Sequence, residues 1–134
     1  MQILNFLAGL IILAFCVFLI GLAALIVFRP RRAEQFLSTY ASSARAHYTE
    51  QAGRLLVGAA FVVLAPAMEL AQLMSLFGWI LVVTTIGLLL IPWTWHHKFG
   101  ELVIPKVLRY MQIYALGSFV LGVFFLYCLS GVLK

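Results

Sequence analysis

Residues 3–28, ILNFLAGLIILAFCVFLIGLAALIVF, carry no charged side chain and end at Arg29-Pro30-Arg31-Arg32. A helix of that length and composition crosses the hydrocarbon core of a bilayer with some tilt. Nothing basic precedes Ile3, so the run lacks the n-region of a signal peptide. It is expected to be a retained transmembrane helix.

Working outward, three more apolar runs are expected to span, over 53–68, 76–91 and 107–129. Pro66 sits near the far end of the second, Pro92 closes the third, and Pro105 suits the first turn of the fourth, where a missing N–H does no harm. The chain of 134 residues is 65% hydrophobic and 10% charged, with mean hydropathy +1.12. Soluble domains are about a quarter charged, and one of this size could not hide so much apolar surface in a single core. The fold expected is an all-α membrane protein, one transmembrane domain over 1–134. Its four transmembrane helices form two repeated helical hairpins, with an interfacial amphipathic helix between the first two.

Charge sets the orientation. Arg29, Arg31, Arg32, Arg45 and Arg54 lie in or beside the first connection, and Lys98, Lys106 and Arg109 in or beside the third. The second connection has no basic residue, and Lys134 is the tail. The positive-inside rule then puts connections one and three in the cytoplasm and both termini in the periplasm. Trp93, Trp95 and Tyr110 are expected at the cytoplasmic interface and Trp79 near the opposite one. The net charge of +5 reads as topology and contact with anionic headgroups, not as nucleic-acid binding. Candidate headgroup or partner contacts are Arg29, Arg31, Arg32, Trp93, Trp95, Lys98, Lys106 and Arg109.

The first connection has its own pattern. Phe36, Tyr40, Ala44 and His47 or Tyr48 recur at spacings of three to four, with Arg31, Arg32, Glu34, Ser38, Ser42 and Arg45 mostly elsewhere on the wheel. This predicts a helix over about 31–48 lying in the interface plane. In the third connection Trp95, Phe99 and Leu102 make a shorter stripe that ends at Pro105.

An internal repeat is legible. At an offset of 64 residues Arg45 meets Arg109, Gly53 meets Gly117, Gly58 meets Gly122 and Phe61 meets Phe125. Two residues off that register, Pro30 meets Pro92. Both halves cross in the same sense, so the repeat is direct, with residues from about 13–65 and 76–127 expected to superpose. Chance coincidence of Gly and Phe in apolar helices is the competing reading.

Catalytic patterns are missing. There is no Gly-x-Ser-x-Gly, His-Glu-x-x-His, P-loop or Gly-x-Gly-x-x-Gly. With four acidic residues in the chain, metal-dependent phosphoryl transfer has little to work with. None of Glu34, Glu50, Glu69 and Glu101 is expected in the middle of a span, which argues against ion-coupled transport. Thr84, Thr85 and Ser118 are expected to back-bond or to join helices. The most polar cluster is His47, His96, His97 and Glu101. His97 and Glu101 share a helix face, and His47 or Glu50 would complete a metal site if the two connections met. Snorkelling interfacial residues are the preferred reading. No catalytic, cofactor-binding or metal residue is assigned. Cys16 and Cys128 are expected to pack as small hydrophobes. Ser118-x3-Gly122 and Gly58-Ala59-Ala60 are smooth patches for close helix approach.

The stretch from Gly78 to Trp93, followed by Trp95-His96, resembles a group of small proteobacterial four-helix inner-membrane proteins of unknown function. So do Ser42-Ser43-Ala44-Arg45-Ala46-His47-Tyr48 and Glu50-Gln51. The resemblance covers nearly the whole chain. It implies a bacterial inner (cytoplasmic) membrane protein and no activity. The function expected is non-enzymatic: an accessory subunit or scaffold acting by helix association. Its partners would be membrane lipids with anionic headgroups, and a membrane protein or a second copy of the chain. The alternative is binding or transport of a lipid or small apolar solute.

Overall fold

The computed structural model describes residues 1–39 and 43–134. Tyr40 and Ser42, both part of the expected interfacial stripe and face, lie outside the described residues. The described residues form helices and no strand: α1 Gln2–Phe28, α2 Pro30–Ser38, α3 Ala44–Leu64, α4 Ala71–Leu90, α5 Trp93–Arg109 and α6 Met111–Leu129. Short 3-10 turns, Ala65–Ala67 and Ser130–Leu133, extend α3 and α6. With these turns, α1, α3, α4 and α6 are the four helices long and apolar enough to cross a membrane.

Proline sets two of the boundaries. α1 stops at Arg29, and Pro30 opens α2 from its first position, where no N–H is needed. Ile91 is extended (φ −94°, ψ 152°), as a residue before proline prefers, and α4 ends there at Pro92.

Other boundaries depart from expectation. α3 begins nine residues before the expected start at Gly53 because Ser43 caps it, its hydroxyl accepting from the Ala46 N–H at 3.1 Å. The helix expected over 31–48 is therefore two pieces: α2 ends at Ser38, and residues 44–48 are the first turn of α3. α4 begins at Ala71, which carries Trp79 eight residues, roughly 12 Å, into the helix and away from its end. Pro105 lies inside α5 rather than opening the last span. α5 runs on to Arg109 and breaks at Tyr110, where α6 takes over.

The spans pack α1 against α6, α3 against α4, and α1 against α3. At the end holding both termini, all four contribute to one core around Ile12, Cys16, Phe61, Leu64, Met74, Phe125 and Cys128. Four rings centre it. Phe61 and Phe125 lie 5.0 Å apart, Phe61 and Phe77 4.9 Å, and Phe77 and Phe125 4.8 Å, with Phe15 at 6.0 Å from Phe125. Toward the other end a second cluster, Ala23, Ile26, Ala33 and Ala115, draws on α1, α2 and α6 alone.

Lipid tails are as apolar as the helices, so close backbone approach and polar contacts must hold the spans together. A Cβ at Gly58 would stand 3.2 Å from the Gly78 carbonyl oxygen, and one at Gly78 would stand 2.9 Å from the Gly58 carbonyl oxygen. A Cβ at Gly122 would stand 2.8 Å from Ile20 Cγ1 and 3.2 Å from the Cys16 carbonyl oxygen. One turn away, the Ser118 hydroxyl donates to the Leu19 carbonyl at 2.7 Å. The two smooth patches thus serve contacts within the fold.

Candidate functional site

Two places at the end away from the termini are built for more than packing. The first is polar. His47, Glu50, Gln51 and Arg54 fall at i, i+3, i+4 and i+7 on α3, the stripe that continues inward as Gly58 and Phe61. The same face that packs apolar groups deeper in the bundle therefore presents four polar side chains in its first two turns. His47 and Gln51 are fully buried, and Glu50 and Arg54 half-buried.

α5 folds across this stripe. His96 and His47 meet Nδ1 to Nδ1 at 2.7 Å, with ring centroids 4.8 Å apart. His96 Nε2 faces a Glu50 carboxylate oxygen at 3.9 Å. Burial is the largest influence on His96 and pulls its pKa below 6.5, against the nearby Glu50 carboxylate, which raises it. From α3, Arg54 donates to the Thr84 hydroxyl at 3.0 Å and to the Thr85 hydroxyl at 3.3 Å on α4. Both hydroxyls donate in turn to their own helix, Thr84 to the Ile80 carbonyl at 2.7 Å and Thr85 to the Leu81 carbonyl at 2.6 Å. Back-bonding and helix joining coexist at one pair of threonines. Among the described residues, His47 Nε2, one Glu50 oxygen and both amide atoms of Gln51 are buried without a hydrogen-bond partner.

The sequence-predicted cluster is thus divided. His47 and His96 come together with Glu50, whereas His97 pairs with Glu101 at 2.9 Å on the open side of α5. Trp93 lies edge-on to His97 at 5.9 Å. No three His, Cys, Asp or Glu among the described residues stand where they could hold one metal ion. Gln51 and the Arg54–threonine contacts were not legible as a site, although the four-residue polar stripe in register with Gly58 and Phe61 signals an inward face.

The second place is apolar. A groove of about 420 Å³ runs between α1 and α6, lined by Ile20, Ala23, Ala24 and Val27 on one wall and by Gln112, Ala115, Leu116 and Phe119 on the other. Phe28 stands at its outer end, where Arg29 follows directly in the chain. Arg109 ends α5 three residues before Gln112, across the break at Tyr110, its guanidinium 5.6 Å from the centre of the Tyr110 ring. Of the expected headgroup contacts, Arg29, Arg31, Arg32, Trp95, Lys98, Lys106 and Arg109 are exposed and Trp93 is half-buried. They share one end of the molecule on two elements: Arg29, Arg31 and Arg32 on and before α2, and the Lys and Trp residues with Arg109 on α5.

Compared with known proteins, this chain matches no protein-family model, no curated sequence and no solved structure.

Proposed function

We propose that this is a non-catalytic protein of a bacterial inner membrane, a direct duplication of a helical hairpin, that acts by association within the bilayer. The observation that carries the association reading is how the chain uses its polar groups. Arg54, Thr84, Thr85 and Ser118 bond helix to helix. His47 is sealed against His96. Meanwhile only 17–33% of each span's apolar window is buried within the chain. The surface left over is apolar and faces lipid, where only lipid or another membrane helix can bind it.

The duplication is supported by matched contacts. Gly58 meets α4 at Gly78 and Val82, as Gly122 meets α1 at Cys16 and Ile20. The partners differ by the offset of 62 that relates Pro30 to Pro92, and the glycines by 64. α1 and α4 end 62 residues apart, at Phe28 and Leu90, and each second helix is followed by a 3-10 turn. The ring pair Phe15–Phe125, at 6.0 Å, has its counterpart in Phe77–Phe61, at 4.9 Å. The duplicates have diverged, since α1 packs along α3 while α4 and α6 meet chiefly through Phe77 and Phe125.

In the orientation we propose, the end bearing eight of the nine Lys and Arg residues faces the cytoplasm. At that end α2 packs back along α1: Ala33 is buried with Ala23 and Ile26, Phe36 meets Phe18 at 6.2 Å, and Arg31, Arg32, Glu34 and Gln35 are exposed. Lipid binding is the second reading, and the groove between α1 and α6 favours it. Purification in gentle detergent followed by mass spectrometry of protein and lipid tests both. A stoichiometric partner protein, or a stable homo-oligomer, supports association. A monodisperse monomer that carries neither partner nor lipid would overturn it.

A further inference from the structure

We infer that the groove between α1 and α6 is a specific site for one acyl chain of an anionic phospholipid, with its headgroup held at Arg29 and Arg109. The inference rests on the lipid-binding reading and goes beyond it by assigning the site.

Three observations converge. The groove is apolar along its length, and Gln112 is the one polar side chain on its walls. Its volume, about 420 Å³, falls within the range of roughly 300–1,000 Å³ found for ligand pockets. Ile20 to Phe28 spans eight residues, so the groove is roughly 12 Å long and parallel to the spans. An acyl chain is long and narrow enough to lie lengthwise in such a slot, and the basic residues at its outer end favour a lipid as the occupant.

Charge selects the headgroup. The groove runs outward to Phe28 and Gln112, and at that end Arg29 and Arg109 are both exposed. Arg presents planar donors that match phosphate oxygens bidentately. A lipid with its tail in the groove carries its phosphate to the level of these two side chains.

The other half differs at equivalent positions. Under the proposed duplication, Ala23 corresponds to Thr85, Ala24 to Ile86, and Ala115 to Gln51. At these three positions α3 and α4 carry larger side chains, of which Thr85 and Gln51 are buried, and His96 of α5 meets His47 one turn from Gln51. The same hairpin architecture therefore carries an open groove in one half and a partly buried polar cluster in the other.

The test is native mass spectrometry of the purified full chain, titrated with phosphatidylglycerol or phosphatidylcholine of matched tails. The wild type should retain one phosphatidylglycerol about tenfold better than phosphatidylcholine, equivalent to about 1.4 kcal/mol. Ala24→Phe and Leu116→Trp both fill the groove from exposed positions. Each should abolish that one tight lipid and leave the unfolding temperature intact, and having two variants guards against misfolding of either. Arg29→Gln with Arg109→Gln should keep one bound lipid but erase the preference for phosphatidylglycerol. Equal retention of both lipids by the wild type, or undiminished phosphatidylglycerol retention in both folded groove-filling variants, would overturn the inference. A partner protein found in the earlier purification leaves these outcomes unaffected, so the two proposals fail separately.

Discussion

His47 and His96 face each other Nδ1 to Nδ1 at 2.7 Å, His47 fully buried on α3 and His96 reaching in from α5. A contact of that length requires that one Nδ1 carry a proton and the other a lone pair. The two rings can therefore hold one positive charge between them, but not two, while they remain in contact.

A pH dependence follows from this pair. The His96 pKa is depressed below 6.5, first by burial, while Glu50 opposes the shift and His47 and Arg54 add to it. The unfolded chain thus binds more protons than the folded one at mildly acidic pH, and stability rises with pH. The contribution is complete above about 6.5 and falls as pH drops from there through the lowered folded value. Thermal unfolding in detergent should show a lower midpoint at pH 5.5 than at pH 7.5, and His96→Gln should flatten the difference. An unchanged pH profile in that variant would remove His96 as the cause.

The glycines should separate into two classes. Gly58→Val and Gly122→Val drive a side chain into the Gly78 and Cys16 carbonyls of the neighbouring helix, so each should cost about 1–3 kcal/mol or more. At Gly53 and Gly117 a Cβ meets nothing within 4 Å. Alanine there should be neutral or stabilise by about 0.5–1 kcal/mol. Reversible unfolding in mixed micelles would measure all four, and equal effects at Gly53 and Gly58 would contradict the close approach.

Gln51 is fully buried with both amide atoms unpartnered among the described residues. A buried polar group left without a bond costs about 1–3 kcal/mol. Gln51→Leu, close in size, should therefore raise stability, by about 1 kcal/mol if the methyl groups pack. Destabilisation on the same scale would mean the amide contributes bonds that outweigh its burial.

Orientation is testable by fusion. A reporter active only in the periplasm should work when attached after Lys134, and one inserted at Thr94, exposed in the first turn of α5, should be silent there. The reverse pattern would invert the proposed topology.

The spans were legible because hydropathy and proline act locally. The run to Phe28 and the stop at Pro92 can be read without knowing any neighbour. The start of α3 was not, because its first turns are helical through the Ser43 cap and an inward polar stripe rather than through lipid contact. Hydropathy sees only the apolar stretch that begins at Leu55. Pro105 reads as a helix start, and α5 nevertheless runs through it. The pairing of His47 with His96 depends on α5 crossing α3, a tertiary fact 49 residues apart in sequence. The groove was hidden for another reason. Ala23, Ala24 and Ala115 count as apolar like their neighbours, and only their small size on facing helices leaves room.

The turn between α3 and α4 is completed by residues 128–134. The Glu69 N–H donates to the Cys128 carbonyl at 2.8 Å, Lys134 reaches the Glu69 carboxylate at 2.6 Å, and a Cβ on Gly131 would stand 2.5 Å from the Glu69 nitrogen. Next to it Leu70 holds a left-handed conformation (φ 55°), which a side chain other than glycine adopts only under local constraint. Domains otherwise tend to form from the N-terminus as they are synthesised. Here the second and third spans can enter the bilayer early, but their connecting bend gains its last partners only after residue 134 has left the ribosome. A chain lacking residues 131–134 would carry its defect more than 60 positions upstream of the missing residues.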